Sequence, residues 1–162
     1  HASGHGVQIN GGSTSSQTTL AVNNNGGTSL FYVRGDGAIG VGTGSPGSLF
    51  HVSGGGLQFA SEVSPAQITA DQNDYAPANF ATAIHLRISS DASRTITGLA
   101  GGAVGRVVVL SNVGSQTIFL GSESASSAAA NRFRGGGALS AGRSVIVIYD
   151  ATSSRWQKVA FS

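Results

Sequence analysis

Apolar residues in the first third of this chain come as short dashes separated by Gly, Asn and Ser. They run Val7-Gln8-Ile9-Asn10, Thr19-Leu20-Ala21-Val22, Ser29-Leu30-Phe31-Tyr32-Val33, Ala38-Ile39-Gly40-Val41, Leu49-Phe50-His51-Val52 and Leu57-Gln58-Phe59. Each is strand-length, and none is long enough to bury a core alone. Turn chemistry punctuates them at Asn23-Asn24-Asn25-Gly26-Gly27, Gly35-Asp36-Gly37, Gly42-Thr43-Gly44-Ser45-Pro46-Gly47 and Gly54-Gly55-Gly56. Asn and Gly supply positive φ at low cost there, and Pro46 stops a ladder and fixes a bend. Arg34 and Asp36 are the only formal charges before Glu62. A stretch so poor in buriable side chains predicts a narrow Gly-rich β shaft over residues 7–61, shielded by sister copies of itself.

From Glu62 the strands lengthen and charge returns. Strands are predicted at Pro65–Thr69, Ala81–Ser89, Thr95–Leu99, Arg106–Asn112, Gln116–Leu120, Asn131–Phe133, Ser144–Asp150 and Arg155–Phe161. Asp91-Ala92-Ser93 and Gly135-Gly136-Gly137 are among the turns. This spacing suits a β-sandwich or jelly-roll-like head over residues 62–162. The β-branched density of Val107-Val108-Val109 and Val145-Ile146-Val147-Ile148 is that of inner sheet faces.

Composition supports an all-β fold. Of 162 residues 25 are Gly, only 10% are charged, Met and Cys are absent, and the one Lys is Lys158. Gly is costly inside helices. Disorder is disfavoured, because 40% of the residues are hydrophobic and the formal charge is only +2. The arginines are scattered, so no basic stripe marks a nucleic-acid interface. No apolar run is long enough for a membrane helix, and without Cys there is no disulfide framework or thiolate metal site. The start, His1-Ala2-Ser3-Gly4-His5, looks like a tag remnant, so residues 1–6 are expected to stand outside the fold.

The segment Gly35-Asp36-Gly37-Ala38-Ile39-Gly40-Val41-Gly42-Thr43-Gly44-Ser45-Pro46-Gly47-Ser48-Leu49-Phe50-His51-Val52 resembles a recurrent shaft element of bacteriophage tail fibres and related surface fibres. It has the same order of parts: a Gly-Asp-Gly turn, an alternating Gly/aliphatic run, Thr-x-Ser-Pro, and a closing strand ending His-Val. Gly44 stands where Thr is common and Phe50 where Leu is common. Ile96-Thr97-Gly98-Leu99, Gly105–Asn112, Asn131-Arg132-Phe133 and Tyr149-Asp150 with Arg155-Trp156 also look like β modules of phage structural proteins. The resemblance implies a homotrimeric tail or head fibre on the virion surface, whose head attaches to a bacterial surface glycan or protein. It carries no binding residues over, since such heads vary in what they contact. A purely structural segment or capsid decoration with a trimerisation cap is the alternative, and a surface-polysaccharide depolymerase is a third.

The remaining motifs change this little. Gly35-x-Gly37-x-x-Gly40 spells a dinucleotide fingerprint, but the residues after it cannot open the helix that would hold a pyrophosphate. Arg34-Gly35-Asp36 spells an integrin tripeptide and suits a charged hairpin tip. A depolymerase needs two placed carboxylates, and only Asp71 and Asp74 lie close in sequence, in a stretch that suits a solvated loop or a weak Ca²⁺ site. Tyr75, flanked by polar loop residues, is the aromatic best placed to meet a sugar. Tyr149 and Trp156 bracket a hairpin turn and are expected to pack across strands. Asp71, Asp74 and Tyr75 are therefore the candidate ligand-binding residues. No catalytic, metal or cofactor residues are assigned, with His51 and His85 isolated in sequence. The chain is expected to bind rather than catalyse, and to resist heat and detergent as an interlocked assembly.

Overall fold

Frequent Gly, Ser and Asn breaks leave strands of two to seven residues. A computed structural model describes residues 8–159. The expected tag remnant lies outside that range, as do Val7 and the end of the last predicted strand. The fold is all-β, and among the described residues the only helical turns are two short 3₁₀ turns, Phe80–Thr82 and Ala129–Asn131. The chain divides into two compact units, the first ending at Gln58 and the second beginning at Phe59. The sequence break was expected after Ser61.

The first unit is one four-stranded sheet in the order β1 (Thr18–Asn23), β2 (Ser29–Arg34), β3 (Ile39–Val41), β4 (Phe50–Val52). The first three strands are antiparallel neighbours and β4 runs parallel to β3. Asn24 closes the first hairpin, its Oδ1 accepting the Gly26 and Thr28 amides at 3.0 and 2.9 Å. Gly37, with φ 90°, makes the second turn. Gly40 has a packing reason to be Gly, since a Cβ there would collide with the Thr43 carbonyl of the loop folded over β3. The Gln8–Asn10 and Leu57–Phe59 segments, expected as strands, have no ladder partners.

In the second unit short strands stack on their own successors. One sheet runs β10 (Phe133–Arg134), β13 (Arg155–Val159), β12 (Ser144–Asp150), β8 (Val107–Asn112), β6 (His85–Ile88), β5 (Glu62–Val63). The other runs β11 (Gly137–Leu139), β9 (Ile118–Leu120), β7 (Arg94–Ile96). Parallel pairings join Glu62, His85 and Val109 in succession, likewise Gln72, Ile96 and Leu120, and also Tyr75 with Leu99 and Phe133 with Trp156. These steps are roughly 24 residues long, the length of crossover that parallel neighbours need. The result is solenoid-like stacking, closed by the antiparallel β12–β13 hairpin laid against β8.

Both sheets face one core. Stacking places Val63, Leu86, Leu110 and Val145 in one row across four strands, and the last three are buried. Trp156 is fully buried, donates its indole N–H to the Leu99 carbonyl at 2.7 Å, and meets Tyr149 edge-on with ring centroids 5.3 Å apart. That is the cross-strand pair expected of the C-terminal hairpin. The Arg106 guanidinium lies over the Phe80 ring at 4.3 Å and donates to the Gly101 carbonyl, so its cation is held without a carboxylate. Gly137, expected in a turn, instead opens β11, and the predicted Pro65–Thr69 strand is reduced to a single bridge at Ile68.

Candidate functional site

Residues 71–75 are built into the stack rather than displayed from it. Gln72 and Tyr75 bridge to Ile96 and Leu99 of the following turn, and Asp71 Oδ1 accepts the Thr95 amide at 2.8 Å. Asp74 sits in left-handed backbone at φ 49°, which Asp tolerates better than most residues. Its amide donates to Ser127 Oγ, and its Oδ1 accepts the Ala128 amide and the Asn131 side-chain amide, all at 2.9 Å. Asp71 and Asp74 thus tie different parts of the chain together. Tyr75 corrects the sequence expectation most plainly. It is 8% exposed and belongs to the core, and burial raises its hydroxyl pKa. Its own side chain follows the inward alternation set by its bridge to Leu99, whatever the polarity of its neighbours. What remains open beside it is a groove of about 610 Å³ along the first turn of the stack, lined by Val63, Pro65, Ile68, Gln72, Tyr75 and Pro77 among others.

A second constellation lies on the outer face of the larger sheet. Along β6 the burial alternates, with Leu86 and Ile88 inward and His85 and Arg87 outward. Glu62 on β5, His85 on β6, Ser111 on β8 and Ser144 on β12 form one hydrogen-bonded row. Glu62 Oε2 lies 2.9 Å from His85 Nδ1, His85 Nε2 lies 2.8 Å from Ser111 Oγ, and Ser111 Oγ lies 2.7 Å from Ser144 Oγ. Arg87 donates to the other Glu62 oxygen at 3.1 Å, and this bond, helped by His85, holds Glu62 below the usual carboxylate range. Sequence reasoning missed the row because its members are spread over four strands. The signal lay in the register, since Glu62 and His85 are stacked partners, as are Arg87 and Ser111. Among the described residues no group of three or more His, Cys, Asp or Glu is placed to hold a metal ion.

No family model, curated protein or solved structure matches the chain.

In the first unit the notable surface is apolar. Ala38, just before β3, is the one buried hydrophobic side chain there among the described residues, while Val22, Leu30, Phe31, Leu49, Phe50 and Leu57 are exposed, Leu49 at 75% and Phe50 at 54%. Phe50 faces solvent because a lone sheet offers it no interior, and His51 Nδ1 accepts the Gly47 amide at 3.2 Å. The Arg34-Gly35-Asp36 tip is folded on itself. Arg34 grips Asp36 bidentately at 2.7 and 2.8 Å and donates to the Pro46 carbonyl at 2.9 Å, so both charges are already engaged. The Gly35–Gly40 motif leads into β3 and not into a helix.

Proposed function

We propose that this chain is part of a phage-type fibre, assembled as a homotrimer through its first unit and attaching to a bacterial surface through its second. The observation that carries this reading is the first unit, whose sheet and flanking segments leave Leu30, Phe31, Leu49, Phe50 and Leu57 in water. Burying each such side chain is worth about 1.5–3 kcal/mol, and a sheet normally gains this by packing on a second layer. Among the described residues of the first unit there is no second sheet to supply this layer, and in this reading further copies supply it. Three-fold association also suits the shaft-like Gly-Asp-Gly to His-Val segment and would place the proposed protein on a virion surface.

In the second unit a stack with an open groove lined by residues between 62 and 79 is the surface offered to a glycan or protein ligand. Several weak contacts presented together would suffice for attachment. The alternative, a structural cap with no ligand, gains from the burial of Tyr75 and the internal bonds of Asp74. Light scattering on the whole chain separates the assembly from a monomer. A mass about three times 16.1 kDa is expected, and a monomer at micromolar concentration overturns the fibre reading. Binding of labelled protein to bacterial cells separates the adhesin from the cap, and a trimer that binds no cell surface favours the cap.

A further inference from the structure

The row from Glu62 to Ser144 is a continuous hydrogen-bonded path. Glu62 is a carboxylate tied to Arg87, so it accepts, and the hydrogen between it and His85 belongs to Nδ1. In the Nδ1–H tautomer of His85 the Nε2 lone pair accepts the Ser111 hydroxyl proton. Ser111 Oγ in turn accepts from Ser144. In that arrangement all three hydrogen bonds run the same way, away from Ser144, and leave its lone pairs facing outward. Ser111 is buried, whereas Ser144 is exposed and opens on a groove of about 530 Å³ lined by Val109, Leu139, Arg143, Ile146, Lys158 and Val159. That volume is in the range of small-molecule sites, roughly 300–1,000 Å³. The groove is apolar on the sheet side and carries two cations, Arg143 and Lys158.

We propose that Ser144 is a nucleophile toward short-chain carboxylic esters, activated through Ser111 by the His85–Glu62 pair, with the acyl group lying on Val109, Ile146 and Val159. This goes beyond the attachment reading, which asks the second unit only to bind. In the first step Ser144 Oγ bonds to the acyl carbon as its proton passes to Ser111 and the Ser111 proton passes to His85 Nε2. Arg143, which has no carboxylate partner among the described residues, offsets the negative charge that develops on the carbonyl oxygen. The bond to the alcohol then breaks, and the alcohol leaves with the proton returned from His85 through the same route. Water attacks the acyl-Ser144 ester, gives a proton to the relay, and the carboxylic acid departs as Ser144 regains its hydrogen. Glu62 holds His85 in the required tautomer throughout and is a positioning residue.

The test uses the whole chain with p-nitrophenyl acetate and a fluorophosphonate probe, the labelled residue being located by peptide mass spectrometry. Turnover above buffer and a label on Ser144 are expected. Ser144→Ala should bring turnover to the buffer rate and remove the label, with an unchanged circular dichroism spectrum. His85→Asn and Ser111→Ala should each lower the rate by about 10²–10⁴-fold, the usual contribution of general-base catalysis. Glu62→Gln should lower kcat with little change in KM. A folded Ser144→Ala protein that hydrolyses the ester as fast as the parent, a label on another residue, or full activity in Ser111→Ala overturns the proposal. If Ser144→Ala is misfolded, the position of the label on the parent protein decides alone.

Discussion

The two units are written in the same alphabet of short strands and Gly-rich turns, yet only the second makes a hydrophobic core. Trp156, Phe133, Leu86, Leu110 and Ile118 are completely buried there, while among the described residues of the first unit the large apolar side chains are half-buried at most, and Leu30, Phe31, Leu49, Phe50 and Leu57 are exposed. Strand length does not explain this, because β9 of the second unit is as short as β3 of the first. Stacking does. In the second unit each turn of chain returns at a constant offset, so inward residues align in rows and each turn covers the one before. In the first unit four strands lie side by side in one sheet, and among its described residues no second sheet stacks on it. Short strands suffice for a core when they are layered, and otherwise need a surface from elsewhere.

The sharpest way to break the stacked unit is Trp156→Ala. It removes the ring packed on Tyr149 and strands the Leu99 carbonyl that accepts the indole N–H. Replacing a fully buried Trp costs about 3–5 kcal/mol. Hydrogen exchange should show protection lost in β8, β12 and β13, and protection retained there would mean that the core does not depend on this ring. A smaller effect is expected at Asp74, which holds the Ala128 and Asn131 groups in place. Asp74→Ala removes their acceptor and puts Ala in left-handed backbone, for a loss of about 1–3 kcal/mol. Asp74→Asn keeps an acceptor oxygen and tolerates that backbone, so its urea midpoint should lie closer to the parent. Equal midpoints for the two variants would show that the carboxylate, not the hydrogen-bond geometry, is what matters.

In the single-layer unit a surface change should alter assembly instead of fold. Phe50→Asp puts a charge on an exposed apolar position, and exposed substitutions usually stay within about 0.5 kcal/mol in a monomer. On a face shared between copies the same change buries a charge without a partner. Light scattering is expected to show dissociation with circular dichroism unchanged, and an unaltered mass would remove Phe50 from the shared face.

Much of this contrast could be seen in the linear pattern. Thr19–Val22, Ser29–Val33, Val107–Asn112 and Ser144–Asp150 form strands because β-branched and aromatic runs between Gly and Asn have few other options. The parallel stacking was hidden, since inward positions recur at a spacing carried by Val, Leu, Ile and Tyr interchangeably, with no repeated motif to reveal it. Tyr75 was misplaced for the same reason, because local polarity says nothing about a partner that arrives a full turn later. The Glu62–His85–Ser111–Ser144 row depends on that register too, so its members look isolated until the strands are laid side by side.

Acid offers the gentlest test of the comparison. Asp36 is the one carboxylate of the first unit, held below its usual range by the hydrogen bond from Arg34. In the second unit Glu62 is held down by Arg87, Asp91 by Arg94, Glu123 by Arg155 and Asp150 by Ser153. A carboxylate with a folded pKa below its unfolded value adds stability that is fully present above the unfolded value, about 4, and disappears as pH falls through the folded one. Stability should therefore be flat near neutrality and fall below about pH 4, more in the second unit than in the first. These pairs are exposed and screened by solvent, so the effect is smaller than any above. Calorimetry at pH 7 and pH 3 measures it, and salt should shrink the difference between the two scans. Identical melting temperatures at both pH values would mean that the same carboxylates are held down equally in the unfolded chain, so that the ion pairs do not distinguish folded from unfolded.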